Sequence, residues 1–176
     1  MRSFIALEPP VSLREDIAAL ARQLKASVRG RFTPRENFHV TLAFLGDVTE
    51  RELADAMGVL DEAASRFDPV KLEPDRLGKF GRANDATLWL GFMQDPALIE
   101  LAAFVRVGLD DAGVGFDAKS FLPHLTIARR AALDHGILPA LPFPAPTHAN
   151  ELTLFKSTLT SDGATYEPIY TARLGS

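Results

Sequence analysis

Apolar positions fall along this chain in short blocks whose period keeps changing. Residues 4–7 are a continuous apolar run closed by Pro9 and Pro10, the pattern of a short buried strand. Leu13, Ile17, Leu20, Leu24 and Val28 then recur every three or four residues, as on one face of a helix. Ser12 and Glu15 have capping-box spacing at its start, and Gly30 offers a stop. Residues 38–46 read as a strand. Thr49 and Glu52 repeat the capping box ahead of a second helical face, Leu53, Met57, Leu60 and Ala64. Val70 and Leu72 alternate with Lys71 and Glu73, as in a strand open on one side. Residues 86–92 form an apolar strand carrying the single tryptophan, Trp89. Asp95 and Pro96 cap a third helix, with Leu98, Leu101, Val105 and Leu109 on its face and Gly113 at its end. A strand over 121–128, a short helix from about Ala131, and a loop with four prolines over 139–146 follow. Strands over 152–160 and 166–172 are joined by the turn signal Ser161-Asp162-Gly163-Ala164.

Strands and helices thus come in mixed order with short connections. That predicts an α+β fold, mostly antiparallel sheet flanked by helices. The 176 residues suit one domain over 1–176. Neither GxGxxG nor GxxxxGK[ST] occurs, which argues against a Rossmann or P-loop nucleotide site. A hydrophobic share of 47% excludes a disordered chain. With no cysteine, disulfides, thiolate-bound zinc and thiol nucleophiles are excluded. No apolar run approaches the roughly 18 residues that cross a bilayer. The apolar start is too short for a secretory leader, so a cytoplasmic protein is expected. A net charge of -4 excludes a general nucleic-acid coat, and any nucleic-acid contact must be local.

One pattern occurs twice: His39-Val40-Thr41-Leu42-Ala43 and His124-Leu125-Thr126-Ile127-Ala128. Side chains alternate along a strand, so His39 and Thr41 share one face while Phe38, Val40, Leu42 and Phe44 point to the other, toward core. His124 and Thr126 repeat the arrangement. Each strand offers an imidazole and a hydroxyl side by side. Two such pairs facing each other would cradle a phosphate, one imidazole acting as acid and the other as base, with hydroxyls donating to the anionic oxygens. Two histidines fall short of the three or four protein ligands zinc needs, so no metal is expected. His135 and His148 lack the repeated context and read as surface or loop residues. Arg29, Arg31, Arg35, Lys79, Arg82, Arg129 and Arg130 flank the motifs and could line a positive cleft. Phe80 and Phe121 are candidates to stack on a base.

These residues resemble the two-histidine (2H) phosphoesterase superfamily, with its two H-x-[ST]-x motifs. Within it the chain resembles the RNA 2′,3′-cyclic phosphodiesterases, also called 2′-5′ RNA ligases or LigT/ThpR proteins. The likeness extends through Arg2-Ser3-Phe4-Ile5-Ala6-Leu7, Asn37-Phe38 before the first motif, Leu88-Trp89-Leu90-Gly91, and Pro123 through Arg129. It closes on Leu154-Phe155-Lys156-Ser157 with Gly163 and Tyr166. The resemblance implies a bilobal, pseudo-two-fold fold with one motif per lobe facing a central cleft. It implies hydrolysis of an RNA terminal 2′,3′-cyclic phosphate to a 2′-phosphomonoester, with 2′-5′ ligation to a 5′-hydroxyl as the reverse. His39 would be the proton donor and His124 the proton acceptor. Thr41, Thr126 and Arg129 would hold the phosphate. Strict alternation puts Arg129 on the face opposite His124 unless the strand ends or twists there, and Arg130 is its substitute. No cofactor or metal is implied. The expected partner is RNA with a cyclic-phosphate end, such as a tRNA fragment or an oligoribonucleotide, met by a monomer away from membranes. The rival readings are a relative acting on a small cyclic nucleotide or an ADP-ribose cyclic phosphate, a non-catalytic RNA-end-binding module, and a metal-dependent hydrolase that chelator would silence.

Overall fold

The apolar blocks become elements in the order β1 (Arg2–Glu8), α1 (Val11–Leu24), β2 (Val28–Phe32), a 3₁₀ turn (Arg35–Asn37), β3 (Val40–Asp47), α2 (Glu50–Arg66), β4 (Val70–Leu72) and β5 (Pro74–Arg82). They continue with β6 (Asp85–Phe92), α3 (Pro96–Asp111), β7 (His124–Leu133), β8 (Thr147–Ala149), β9 (Glu151–Thr160) and β10 (Gly163–Arg173). The computed structural model describes residues 1–133, 136 and 138–175. Two antiparallel four-stranded sheets make the two lobes, in the orders β10-β9-β1-β3 and β2-β7-β6-β5. A ribbon of β4 and β8 stands apart from them. The fold is α+β, as the mixed order of elements predicts.

Capping explains two of the helices. Thr49 accepts from the Glu52 backbone while the Glu52 carboxylate accepts from the Thr49 backbone, a complete capping box for α2. Asp95 caps α3, with Pro96 at the first helical position. α2 and α3 pack against each other, α2 also on β9 and β10 and α3 on β3. The main core buries the apolar faces of both sheets with those of the helices. A smaller cluster of Phe4, Ala6 and Phe155, with Phe44 and Tyr166 packed on it, lies on the other face of the first sheet.

Several expectations need correction. α1 starts at Val11 with Pro10 in the cap position, and no side chain caps it; Ser12 lies within the first turn. The helix begins a residue early because the Arg14 amide already reaches the Pro10 carbonyl, at 2.9 Å. It ends at Leu24, and Val28 is buried as the first residue of a strand. Gly30 is no helix stop. A Cβ there would meet the Ala131 Cα at 2.9 Å, so glycine lets β2 press close to β7. The strands over 28–32, 74–82 and 147–149 were not expected. The third and seventh strands start at Val40 and His124, two and three residues later than the apolar runs suggest. Ala131 continues β7 rather than opening a helix, and the rest of that predicted helix runs into residues outside those described.

Candidate active site

Each histidine is set by the residues just before it. His39 Nδ1 lies 2.7 Å from the Asn37 carbonyl, and His124 Nδ1 lies 2.6 Å from the Leu122 carbonyl. A carbonyl only accepts, so both rings donate from Nδ1 and leave Nε2 for chemistry. The same i−2 contact thus fixes the same tautomer twice. Asn37 also donates through Nδ2 to the Ala164 carbonyl at 3.2 Å, which ties His39 to β10. The 3₁₀ turn that carries Asn37 is anchored to α1. Arg14 donates to the Arg35 carbonyl at 2.8 Å, and Arg35 pairs with Glu15 at 2.6 Å.

Beyond each threonine the strand bulges at the same place. Ile5 pairs with Ala43 but Ala6 with Thr41, so Leu42 is the extra residue of β3. Leu88 pairs with Ala128 but Trp89 with Thr126, so Ile127 is the extra residue of β7. A bulge lets two consecutive side chains point to one side. Leu42 and Ala43 are both buried, as are Ile127 and Ala128. The next residues, Phe44 and Arg129, therefore return to the cleft face. Phe44, expected to point into core, faces the cleft instead. Arg129 reaches the cleft without the strand having to end. Arg130 follows in the left-handed region, with φ 51, the only non-glycine residue with positive φ among those described.

Aromatic rings surround both imidazoles. Phe4 lies 4.8 Å from His39 and Tyr166 meets it edge-on at 5.3 Å. Phe80 meets His124 edge-on at 5.5 Å, and Trp89 lies 5.9 Å away. Trp89 lies over Gly78, where a Cβ would come within 2.2 Å of its ring. Burial pushes His39 down from 6.5 to about 4, with the charges of Arg129, His124 and Arg14 adding to the effect against the Asn37 hydrogen bond. His39 is therefore neutral at pH 7. β3 and β7, the strands that carry the two motifs, lie in contact although they belong to different sheets.

A cavity of about 630 Å³ holds His39 and Thr41 on one wall and Arg31, Arg129 and Arg130 on another. Arg2 and the β9–β10 tip complete it. His124 and Thr126 lie outside this cavity. Phe80, in contact with His124, lines a second cavity of about 440 Å³ that shares Arg129 and Arg130 with the first. Of the basic residues flagged in the sequence, Arg29, Arg35, Lys79 and Arg82 line neither cavity, while Arg2 is an addition. Phe121 packs on the core beneath Arg106, which leaves Phe80 as the open ring. His148 sits exposed on β8, and His135 lies outside the described residues. Among the described residues, no group of three or more His, Cys, Asp or Glu could hold a metal ion. Nor is any helix among them long and apolar enough to cross a membrane. Phe44 and Asn37 went unrecognised as site residues, because a bulge and a backbone carbonyl leave no mark in a residue pattern.

Known proteins resemble the chain in sequence and in fold. The family model for LigT-like phosphoesterases matches residues 7–89. An RNA 2′,3′-cyclic phosphodiesterase of Methanocaldococcus jannaschii is 30% identical over 179 residues, covering 96% of this chain and 98% of that protein. One from Aquifex aeolicus is 29% identical over 180 residues, covering 97% and 94%. The crystal structure of Escherichia coli LigT in its apo form superposes with a TM-score of 0.80 at 29% identity, covering 98% of this chain and 96% of that one.

Proposed function

The chain belongs to the LigT-like phosphoesterase family, and on that premise we propose that its cleft hydrolyses the 2′,3′-cyclic phosphate at an RNA end to a 2′-phosphomonoester. The observation that carries this reading is the pair of imidazoles held alike, each with Nδ1 tied to a backbone carbonyl. That leaves two Nε2 atoms, one to give a proton and one to take it.

The water oxygen attacks phosphorus and passes its proton to His124 Nε2. The bond from phosphorus to the 3′ oxygen breaks, and His39 Nε2 supplies that oxygen with a proton. The bond to the 2′ oxygen stays, which fixes the product as a 2′-phosphomonoester. Thr41, Thr126, Arg129 and Arg130 hold the non-bridging oxygens, charge-assisted at the two arginines. His39 is neutral at pH 7, so it takes up its proton as substrate docks. A phosphate anion against a buried imidazole favours the charged form. With a 5′-hydroxyl in place of water, the same transfers give a 2′-5′ linkage. The substrate is RNA, such as an oligoribonucleotide or a tRNA fragment.

Phosphorus NMR of a short RNA ending in a 2′,3′-cyclic phosphate, run with chelator, tests the reading. Wild type should yield the 2′-phosphate, and His39→Ala should be slower by at least about 10²-fold. No conversion by wild type, or a loss under about tenfold in the variant, overturns it.

A further inference from the structure

The cleft face of the second sheet continues beyond His124. Phe80 pairs with Thr87 across β5 and β6, and Arg31 pairs with Arg129 across β2 and β7. Thr87 and Arg129 lie in adjoining strands, between the pairs Ala86–Ala131 and Leu88–Ala128. The four side chains thus form a row across the sheet: ring, hydroxyl, guanidinium, guanidinium. At about 4.8 Å per strand the row is roughly 14 Å long. Its Arg31 end lies in the larger cavity and its Phe80 end in the smaller one.

Three features of the row point to a ligand. Phe80 is 45% exposed although rings of this size are usually buried, and it stands against His124. Arg31 and Arg129 sit opposite each other, an unfavourable like-charge pair that an anion between them would relieve. Arg130, beside the row and in a left-handed conformation, lines both cavities and lies 4.0 Å from Asp85, a carboxylate in the wall of the smaller one. An open ring beside guanidinium groups is what base stacking with phosphate contact requires.

In-line displacement fixes which strand this is. With His39 protonating the 3′ oxygen, the ribose of the cyclic phosphate lies on the His39 side, in the larger cavity. The entering oxygen comes from the His124 side, and Phe80, in contact with His124, lines the smaller cavity there. That cavity, at about 440 Å³, is far larger than one water needs. We propose that it is an acceptor subsite, in which Phe80 stacks the base of a nucleoside whose 5′-hydroxyl replaces water as the nucleophile. This rests on the reading of His39 as donor and His124 as acceptor. In the step, the 5′ oxygen bonds to phosphorus and its proton goes to His124. The bond to the 3′ oxygen breaks, and that oxygen takes the proton of His39.

The test is a partition experiment. RNA ending in a 2′,3′-cyclic phosphate is incubated with increasing adenylyl-adenosine bearing a free 5′-hydroxyl, and the ratio of 2′-5′-linked product to 2′-phosphomonoester is measured. Both products need both histidines, so the ratio is insensitive to a tilt of His124. In wild type the ratio should saturate with acceptor. Phe80→Leu should raise the half-saturating concentration about tenfold or more, and Phe80→Tyr, which keeps the flat face, should shift it less than about threefold. A ratio that rises in strict proportion to acceptor, alike in wild type and Phe80→Leu, overturns the subsite. So does a Phe80→Leu effect confined to the KM of the cyclic-phosphate strand, which would place that strand in the smaller cavity. Failure of wild type to open the cyclic phosphate without acceptor is a different result, one that removes the underlying reading and the subsite with it.

Discussion

His39 carries the most altered environment in the cleft. Phe4 and Tyr166 press on its ring, and the arginine and histidine charges beyond it add to the effect of burial. Its value of about 4 makes a prediction with a definite sign. Catalysis needs one proton on the pair of imidazoles. kcat/KM reports the ionisations of the protein without substrate, and the His39 ionisation enters it as the limb on which kcat/KM falls as pH falls through about 4. The acid limb of the profile should therefore lie near pH 4, well below the 6.5 of a free imidazole. Tyr166→Ser admits water to the ring, which should move that limb upward toward 6.5. A limb already at 6.5 in wild type, or one unmoved by Tyr166→Ser, would show that burial does not control His39. The two histidines and their threonines were legible because period-2 alternation reads directly from a motif. The difference between the two histidines was not, because it comes from rings on β1 and β10, distant in sequence.

At the scale of elements, the two bulges do what the motif alone does not. Each turns the residue five past its histidine back to the cleft, and the carbonyl of each extra residue is satisfied from outside the strand pair that bulges. The Ile127 carbonyl accepts from the Thr33 amide at 2.8 Å. The Leu42 carbonyl accepts from Arg106 Nε at 2.9 Å, and the same guanidinium donates to the Lys119 carbonyl at 2.7 Å. β3 is an edge strand, and this arginine covers part of its open side. Arg106→Met keeps much of the packing and removes both hydrogen bonds. It should cost about 2–3 kcal/mol in urea unfolding, and it should slow hydrolysis while leaving the acid limb in place. A stability change below about 0.5 kcal/mol would mean the Leu42 carbonyl finds water instead. The strands that the apolar pattern missed have a common cause. β2 and β5 are the two edges of the second sheet, largely open to solvent, so Val28-Arg29-Gly30-Arg31-Phe32 and the glycine-rich 74–82 carry little alternation. The capped helices α2 and α3 were legible because their signals are local.

The molecule as a whole is acidic at -4, yet Arg2, Arg31, Arg129 and Arg130 converge on one cavity where Asp162 is the only carboxylate among the described residues of the wall. No count of charges along the chain could show this, since Arg2 and Arg129 meet only after β1 and β7 have folded into separate sheets. Arg31 and Arg129 are brought opposite each other by strand pairing. A local positive field on an acidic body draws phosphate to one place and leaves the remaining surface unattractive to nucleic acid. Affinity for the cyclic-phosphate RNA should then fall as salt rises, with a slope set by the few phosphates the cleft touches. Arg31→Gln removes one contact on the single strand, so the slope of log KM against log salt should flatten by about 0.7. Arg29→Gln, one pair further along the same strands and outside both cavities, should leave the slope where it was. Equal flattening by both variants would mean that RNA reads the diffuse charge of the β2 edge, whereas flattening by Arg31→Gln alone places a phosphate in the row that runs toward Phe80.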